Sequence, residues 1–217
     1  MLKVNELFKS IEGETTFAGL PCIFVRLSGC NLRCTYCDTE YAYYEGMCIS
    51  NDEIIKQITC FSCKLICITG GEPLLQKETM PLLDKLINDG YTVILETNGS
   101  ISVEQVHKKV IIIMDIKCPS SNESGQMHWK NISYLKKNDQ IKYVLQNKKD
   151  YLWAKETMEK YSLHKKAEVL FMPNYKKLSP KKLSQWILED NLPVRLQVQL
   201  HKYIWKANEK EGMRISL

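Results

Sequence analysis

Gly29-Cys30-Asn31-Leu32-Arg33-Cys34-Thr35-Tyr36-Cys37-Asp38-Thr39 is the stretch on which the fold turns. Its cysteines follow a CxxxCxxC spacing, so one short loop offers three thiols that can converge on a single metal centre. Structural zinc sites normally close with four ligands, often as two CxxC-like knuckles, and this loop supplies three. A cube of four irons held by three thiolates leaves one iron without a protein ligand, open to a substrate or cofactor. The loop follows directly on Pro21 to Leu27, a short apolar run (Ile23, Phe24, Val25) that reads as a buried strand.

Outward from that strand, similar runs lie at Leu65 to Thr69, Thr92 to Glu96, Val110 to Lys117, Gln140 to Leu145, Glu168 to Met172 and Arg195 to Gln199. Helix signals lie between them. Ser50 and Glu53 are spaced as a capping box. Pro73 suits a first helical turn ahead of Leu74, Leu75, Met80, Leu82, Leu83, Leu86 and Ile87, and Gly90 can close that helix. Asp150 to Tyr161 and Ser179 to Glu189 read as two more helices. This alternation predicts an α/β fold, a parallel sheet with helical crossovers. Six or so βα units are too few for an eight-unit barrel of about 250 residues, so a partial, open (β/α)6-type barrel is expected. Ligands then belong at the carboxyl ends of the strands.

Composition agrees with such an enzyme-sized domain. The 217 residues are 44% hydrophobic and 25% charged, which argues against a wholly disordered chain, collagen or a membrane bundle. No run approaches the roughly 18 apolar residues of a spanning helix. The nine cysteines are an odd number, so complete pairing within the chain is impossible. Residues 1–6 lack the apolar core of a signal peptide, and a reducing cytoplasm is the expected compartment, where clustered cysteines mean metal or redox chemistry. Net charge is +5, with lysines concentrated in the second half. These read as a solvated surface. No nucleic-acid motif interleaves them with aromatics, though a basic rim could attract a small anionic substrate.

A second marker follows the second strand, Thr69-Gly70-Gly71-Glu72-Pro73, where paired glycines let the backbone approach a ligand. Beside the cysteine loop it resembles the GGEP segment of the radical S-adenosylmethionine superfamily, so the expected fold becomes a radical SAM barrel. Ser10-Ile11-Glu12-Gly13-Glu14-Thr15, Phe24-Val25-Arg26-Leu27, Glu96-Thr97-Asn98-Gly99, Asp115-Ile116-Lys117-Cys118-Pro119 and Gln197-Val198-Gln199-Leu200-His201-Lys202 sharpen the likeness. From about residue 4 to residue 205 the chain resembles the 7-carboxy-7-deazaguanine synthase family. The resemblance implies one catalytic domain over residues 1–217, with residues 1–20 facing the substrate and a C-terminal tail at 203–217. It implies a [4Fe–4S] cluster, S-adenosylmethionine and Mg²⁺. It also implies ring contraction of 6-carboxy-5,6,7,8-tetrahydropterin with loss of ammonia, on the route to queuosine and other deazapurines. A homodimer and a flavodoxin or ferredoxin electron donor follow from the same likeness, without a nucleic-acid or membrane partner.

The resemblance assigns roles. Cys30, Cys34 and Cys37 would hold the cluster. Tyr36, Cys37, Asp38, Gly71, Glu72, Asp115, Ile116, Lys117, Phe171, Met172 and Pro173 would contact S-adenosylmethionine. Thr39 would ligate Mg²⁺ through its hydroxyl. Arg26 would pair with the substrate carboxylate, Glu12 and Glu14 would accept hydrogen bonds from the pterin's amino and ring N–H groups, and Gly13, Thr69 and His201 would face the pterin. The family loop more often carries Gln where Glu12 stands and Gly where Thr15 stands. The remaining cysteines, Cys22, Cys48, Cys60, Cys63, Cys67 and Cys118, read as small core hydrophobes. A second metal at Cys60, Cys63 and Cys67 is the alternative. Two competing readings are a glycyl-radical activase, which shares the cluster, and a zinc-stabilised binding module without catalysis.

Overall fold

The computed structural model describes residues 1–205 and 212–214. Its strands are β1 (Leu2–Ile11), β2 (Pro21–Leu27), β3 (Met47–Ile49), β4 (Leu65–Gly70), β5 (Thr92–Thr97), β6 (Ile111–Asp115), β7 (Gln140–Leu145), β8 (Glu168–Pro173), β9 (Arg195–Leu196) and β10 (Met213–Arg214). The α-helices are α1 (Asn51–Thr59), α2 (Thr79–Asn88), α3 (Lys148–Lys160), α4 (Pro180–Glu189) and α5 (His201–Ile204). All strands join one sheet in the order β10-β1-β2-β4-β5-β6-β7-β8-β9, with β3 also on β1. From β2 to β9 every pairing is parallel, and β1 pairs antiparallel with β2, β3 and β10. The sheet does not close, as expected for a partial barrel.

Strand alternation sorts the side chains into two cores. On the outer face, Ile23, Val25, Ile66, Ile68, Val93, Leu95, Ile112, Met114, Ile141 and Tyr143 join Leu82, Leu83, Tyr151 and Leu183 of the covering helices. On the inner face, Cys22, Leu65, Cys67, Ile94 and Ile113 make a small apolar floor, with Phe24 and Ile111 packed against it. Above that floor the inward positions turn polar: Arg26 opposite Thr69, and Asp115 opposite Lys142.

Several expectations need correction. The N-terminal strand β1 was not among the predicted strands. Its register slips between Val4 and Glu6, and Leu7 and Phe8 are both buried, so the sequence lacks a clean alternation. Pro73 opens only a 3-10 turn (Pro73–Leu75), and the helix begins at Thr79. Gln76 is extended because its side-chain amide donates to the carbonyls of Lys3 and Ser28. The last strand shrinks to two residues, since β9 pairs only with Leu170 and Phe171. Helical crossovers are also fewer than predicted: no α-helix lies between β5 and β6, which turns and bends connect, or between β6 and β7, where three 3-10 turns stand instead. Ser50 does cap α1, its hydroxyl accepting the Glu53 N–H at 3.2 Å. Of the expected C-terminal tail at 203–217, residues 206–211 and 215–217 lie outside the described residues.

Candidate active site

The carboxyl ends of the strands open into one cavity of about 1110 Å³. Cys30, Cys34 and Cys37 line one end of it. Their loop is tied to the segment after β6: Thr35 donates from its hydroxyl to the Ser120 carbonyl at 2.6 Å and from its N–H to the Ser121 carbonyl at 3.2 Å, and the Arg33 N–H donates to Glu123 at 2.7 Å. Gly71 brings its backbone against this loop. A Cβ there would collide with the Gly29 carbonyl and lie 2.8 Å from Cys30 Cβ. Burial pushes the Cys30 thiol up and Cys34 up to about 11, so a metal bound there would have to displace their protons. Among the described residues no three His, Cys, Asp or Glu groups are set around a single metal ion. A four-iron cube takes each thiolate at its own iron, so three thiols spread along one cavity wall fit it without meeting at a point.

A network of buried charge runs from beside this loop to the other end. Lys142 donates to Glu14 at 2.7 Å and lies 3.4 Å from Asp115, which also holds Lys117 at 3.1 Å. Burial opposes charge at all four positions, yet mutual attraction wins: Glu14 and Asp115 are held below the usual carboxylate range, and Lys142 and Lys117 above the usual amine range. Glu14 also accepts from Gln199 Nε2 at 2.9 Å, and the Gly13 carbonyl accepts the Leu200 N–H at 2.8 Å. The loop after β1 is thereby clasped to the segment before α5. Any Cβ at Gly13 would run into the His201 ring, so glycine is required for that close approach.

Between the two ends lie Arg26 and Thr69. Arg26 donates from Nε to Glu6 at 2.8 Å, an ion pair that orients the guanidinium at the cavity wall, with the Phe8 and Tyr41 rings about 6 Å away. Thr69 donates to Glu96 at 2.7 Å. Thr39 donates to Asp38 at 2.9 Å, and Lys202 stands 3.8 Å from the same carboxylate. Tyr36, Asp38, Thr39, Gly13, Gly71, Met172 and His201 all line the cavity.

Four predicted contacts do not face it with their side chains. Ile116 and Phe171 belong to the outer core, because neighbours on a strand point to opposite faces: Asp115 and Lys117 face in, and so does Met172. Pro173 likewise stands outside the cavity, beside a smaller pocket near Tyr175 and Tyr203. Glu72 is fully buried and turned away. Its carboxylate accepts the Leu74 N–H (2.9 Å), the Asn98 N–H (2.7 Å) and the Thr97 hydroxyl (3.0 Å), so it shapes the turn rather than the cavity surface. Cys48 and Cys60 are exposed, not core residues, while Cys22, Cys67 and Cys118 are buried and Cys63 half-buried. Glu96 and Lys142 line the cavity and were missed. The signal was present: each is a lone charge inside an otherwise apolar run.

The chain matches the model of the radical SAM superfamily over residues 24–114. It is 39% identical to the 7-carboxy-7-deazaguanine synthase of Koribacter versatilis, over 96% of this chain and 99% of that protein. It is 42% identical to the enzyme of that name from Chlorobaculum tepidum, over 96% of each chain. Among solved structures, QueE from Escherichia coli is similar in fold, with a TM-score of 0.76 at 21% identity over 92% of this chain and 94% of that one. Streptococcus suis SuiB, solved bound to S-adenosylmethionine, shares the fold more distantly, with a TM-score of 0.55 at 14% identity over 78% of this chain and 48% of that one.

Proposed function

The chain belongs to the 7-carboxy-7-deazaguanine synthase family of radical SAM enzymes, and we propose that it contracts the ring of 6-carboxy-5,6,7,8-tetrahydropterin to 7-carboxy-7-deazaguanine, releasing ammonia. The observation that carries this reading is the two-ended cavity: three thiols at one end and paired acids with a guanidinium toward the other. Cys30, Cys34 and Cys37 would hold a [4Fe–4S] cluster, which would supply the one-electron chemistry that S-adenosylmethionine needs to start hydrogen abstraction from the pterin.

The chain's own residues bind and orient. Gly71 presents backbone to the cofactor's methionyl end, and Tyr36, Asp38, Asp115, Lys117 and Met172 wall the space beside the cluster loop. Arg26, already oriented by Glu6, offers its guanidinium to the substrate carboxylate. Glu14, ionised beside Lys142, accepts ring N–H groups. Thr69, Gly13 and His201 complete the pterin wall. Mg²⁺ would be held at the Thr39 hydroxyl with Asp38 beside it, an oxygen set suited to a hard cation that keeps several waters and takes a substrate carboxylate. The enzyme acts as a homodimer in the cytoplasm, where its nine unpaired cysteines are stable, and takes electrons from a flavodoxin or ferredoxin. No described helix is long and apolar enough to cross a membrane.

The test is anaerobic incubation of the reconstituted protein with 6-carboxytetrahydropterin, S-adenosylmethionine, reductant and Mg²⁺. Formation of 7-carboxy-7-deazaguanine with equimolar ammonia is expected. Cleavage of S-adenosylmethionine with no deazaguanine would overturn the substrate assignment and favour the activase reading.

A further inference from the structure

Glu12 and Glu14 are two residues apart on one loop, yet their surroundings differ. Glu14 has the Lys142 ammonium at 2.7 Å and the Gln199 amide at 2.9 Å. Glu12 is 2% exposed, and among the described residues it makes no ion pair. Its Oε1 accepts the Glu14 N–H at 2.9 Å, while Oε2 is buried and has no partner. The groups around it are mostly acidic: Glu14 on its own loop, Glu96 from β5, Cys22 from β2 and Cys67 from β4. The cation near it is Lys142 of β7, already committed to Glu14 and Asp115, and His201 of α5 lies beyond Gly13.

We propose that Glu12 stands in the cavity as a neutral carboxylic acid and donates its Oε2 hydrogen to an acceptor on the substrate ring, a carbonyl oxygen or an imine-type nitrogen. The proposal rests on the pterin reading above and deepens it: one acid of the pair accepts, and the other donates. An unpartnered buried carboxylate would carry a full desolvation cost beside two other acids, whereas the protonated form has one acceptor already satisfied and one donor to give. Burial first, then the Glu96 charge, hold the Glu12 carboxyl up to about 8. Neighbouring carboxylates pushed to opposite states are a recurring way to obtain a donor and an acceptor from one residue type. A protonated carboxyl offers the same donor and acceptor pair as a glutamine amide.

Two measurements test this. Difference proton titration of wild type against Glu12→Gln, without substrate, should show one proton lost only by wild type between about pH 7 and 9. Equilibrium dialysis of 6-carboxytetrahydropterin without reductant should show wild-type affinity falling about tenfold per pH unit above about 8. Glu12→Gln, which cannot ionise, should hold a flat profile and bind more tightly than wild type near the top of the range, while Glu12→Ala binds weakly throughout. Absence of the extra proton would overturn the proposal. So would a Gln variant as weak as the Ala variant at pH 7, since an ionised carboxylate would then be what the substrate needs. The extra proton together with no pterin bound at any pH would instead overturn the pterin reading, and the donor role with it.

Discussion

The two ends of the cavity are built by opposite strategies. At the thiol end, three ligands sit on one loop, and neighbouring backbone groups hold that loop in place. At the acid end, Glu14, Asp115 and Lys142 come from three separate elements, and Gln199 reaches in from a fourth. One end is written as a local spacing, while the other exists only once the sheet has folded. The difference teaches that a cofactor cradle can be read from a motif, whereas substrate recognition here depends on charges that meet across the whole barrel.

The comparison can be broken first at the thiol end. Alanine at Cys30, Cys34 or Cys37 should abolish iron retention after anaerobic reconstitution while leaving the circular dichroism of the chain intact. Near-full iron loading in any one variant would remove the local reading. At the acid end, Lys142→Met should cost stability as well as binding, about 3–5 kcal/mol in urea unfolding, because it leaves buried Glu14 without its cation and Asp115 with Lys117 alone. The sign with pH is set by those acids. Glu14 and Asp115 have lowered folded pKa values, so their contribution is full above the unfolded carboxylate range and is lost as pH falls through the folded values. The gap between wild type and variant should therefore narrow in acid below about pH 4. A gap constant from neutral to acid pH would show that packing of the lysine stem, not charge, holds this end.

Arg26→Lys sharpens the middle of the cavity. It keeps a charge but loses the planar fork, and should cost about 1.5–3 kcal/mol of substrate binding, a KM rise of roughly ten- to a hundredfold. An unchanged KM would place the carboxylate elsewhere. The smallest effect belongs outside both ends: Cys60→Ser, at an exposed position, should change stability by under about 0.5 kcal/mol and leave the iron content alone. Iron loss in that variant or in Cys63→Ala would reveal a second metal site.

Much of this was legible in the sequence because parallel strands buried on both faces read as apolar runs. The runs at Ile23 to Val25 and Val93 to Leu95 needed nothing more. The first strand escaped because its bulge breaks the period of two between Val4 and Glu6. The same period explains the misplaced contacts: Asp115-Ile116-Lys117 was read as a continuous lining segment, but a strand shows one face only every second residue. Glu96 and Lys142 were overlooked although all six residues of β7 are buried, and a lysine in such a strand demands an acidic partner. Glu72 was placed in the cavity on the strength of its motif. Its carboxylate is instead used up by the backbone N–H groups of Leu74 and Asn98 and by the Thr97 hydroxyl, a distinction that depends on three-dimensional position.

The bond from Gln199 to Glu14 spans 185 residues. During synthesis all three thiols leave the ribosome well before Gln199 does, so the clasp over the far end forms only after the cluster loop is complete. A nascent or truncated chain ending before Gln199 has every cluster ligand and no finished substrate wall. The order of translation thus places the capacity to hold iron ahead of the capacity to hold a pterin.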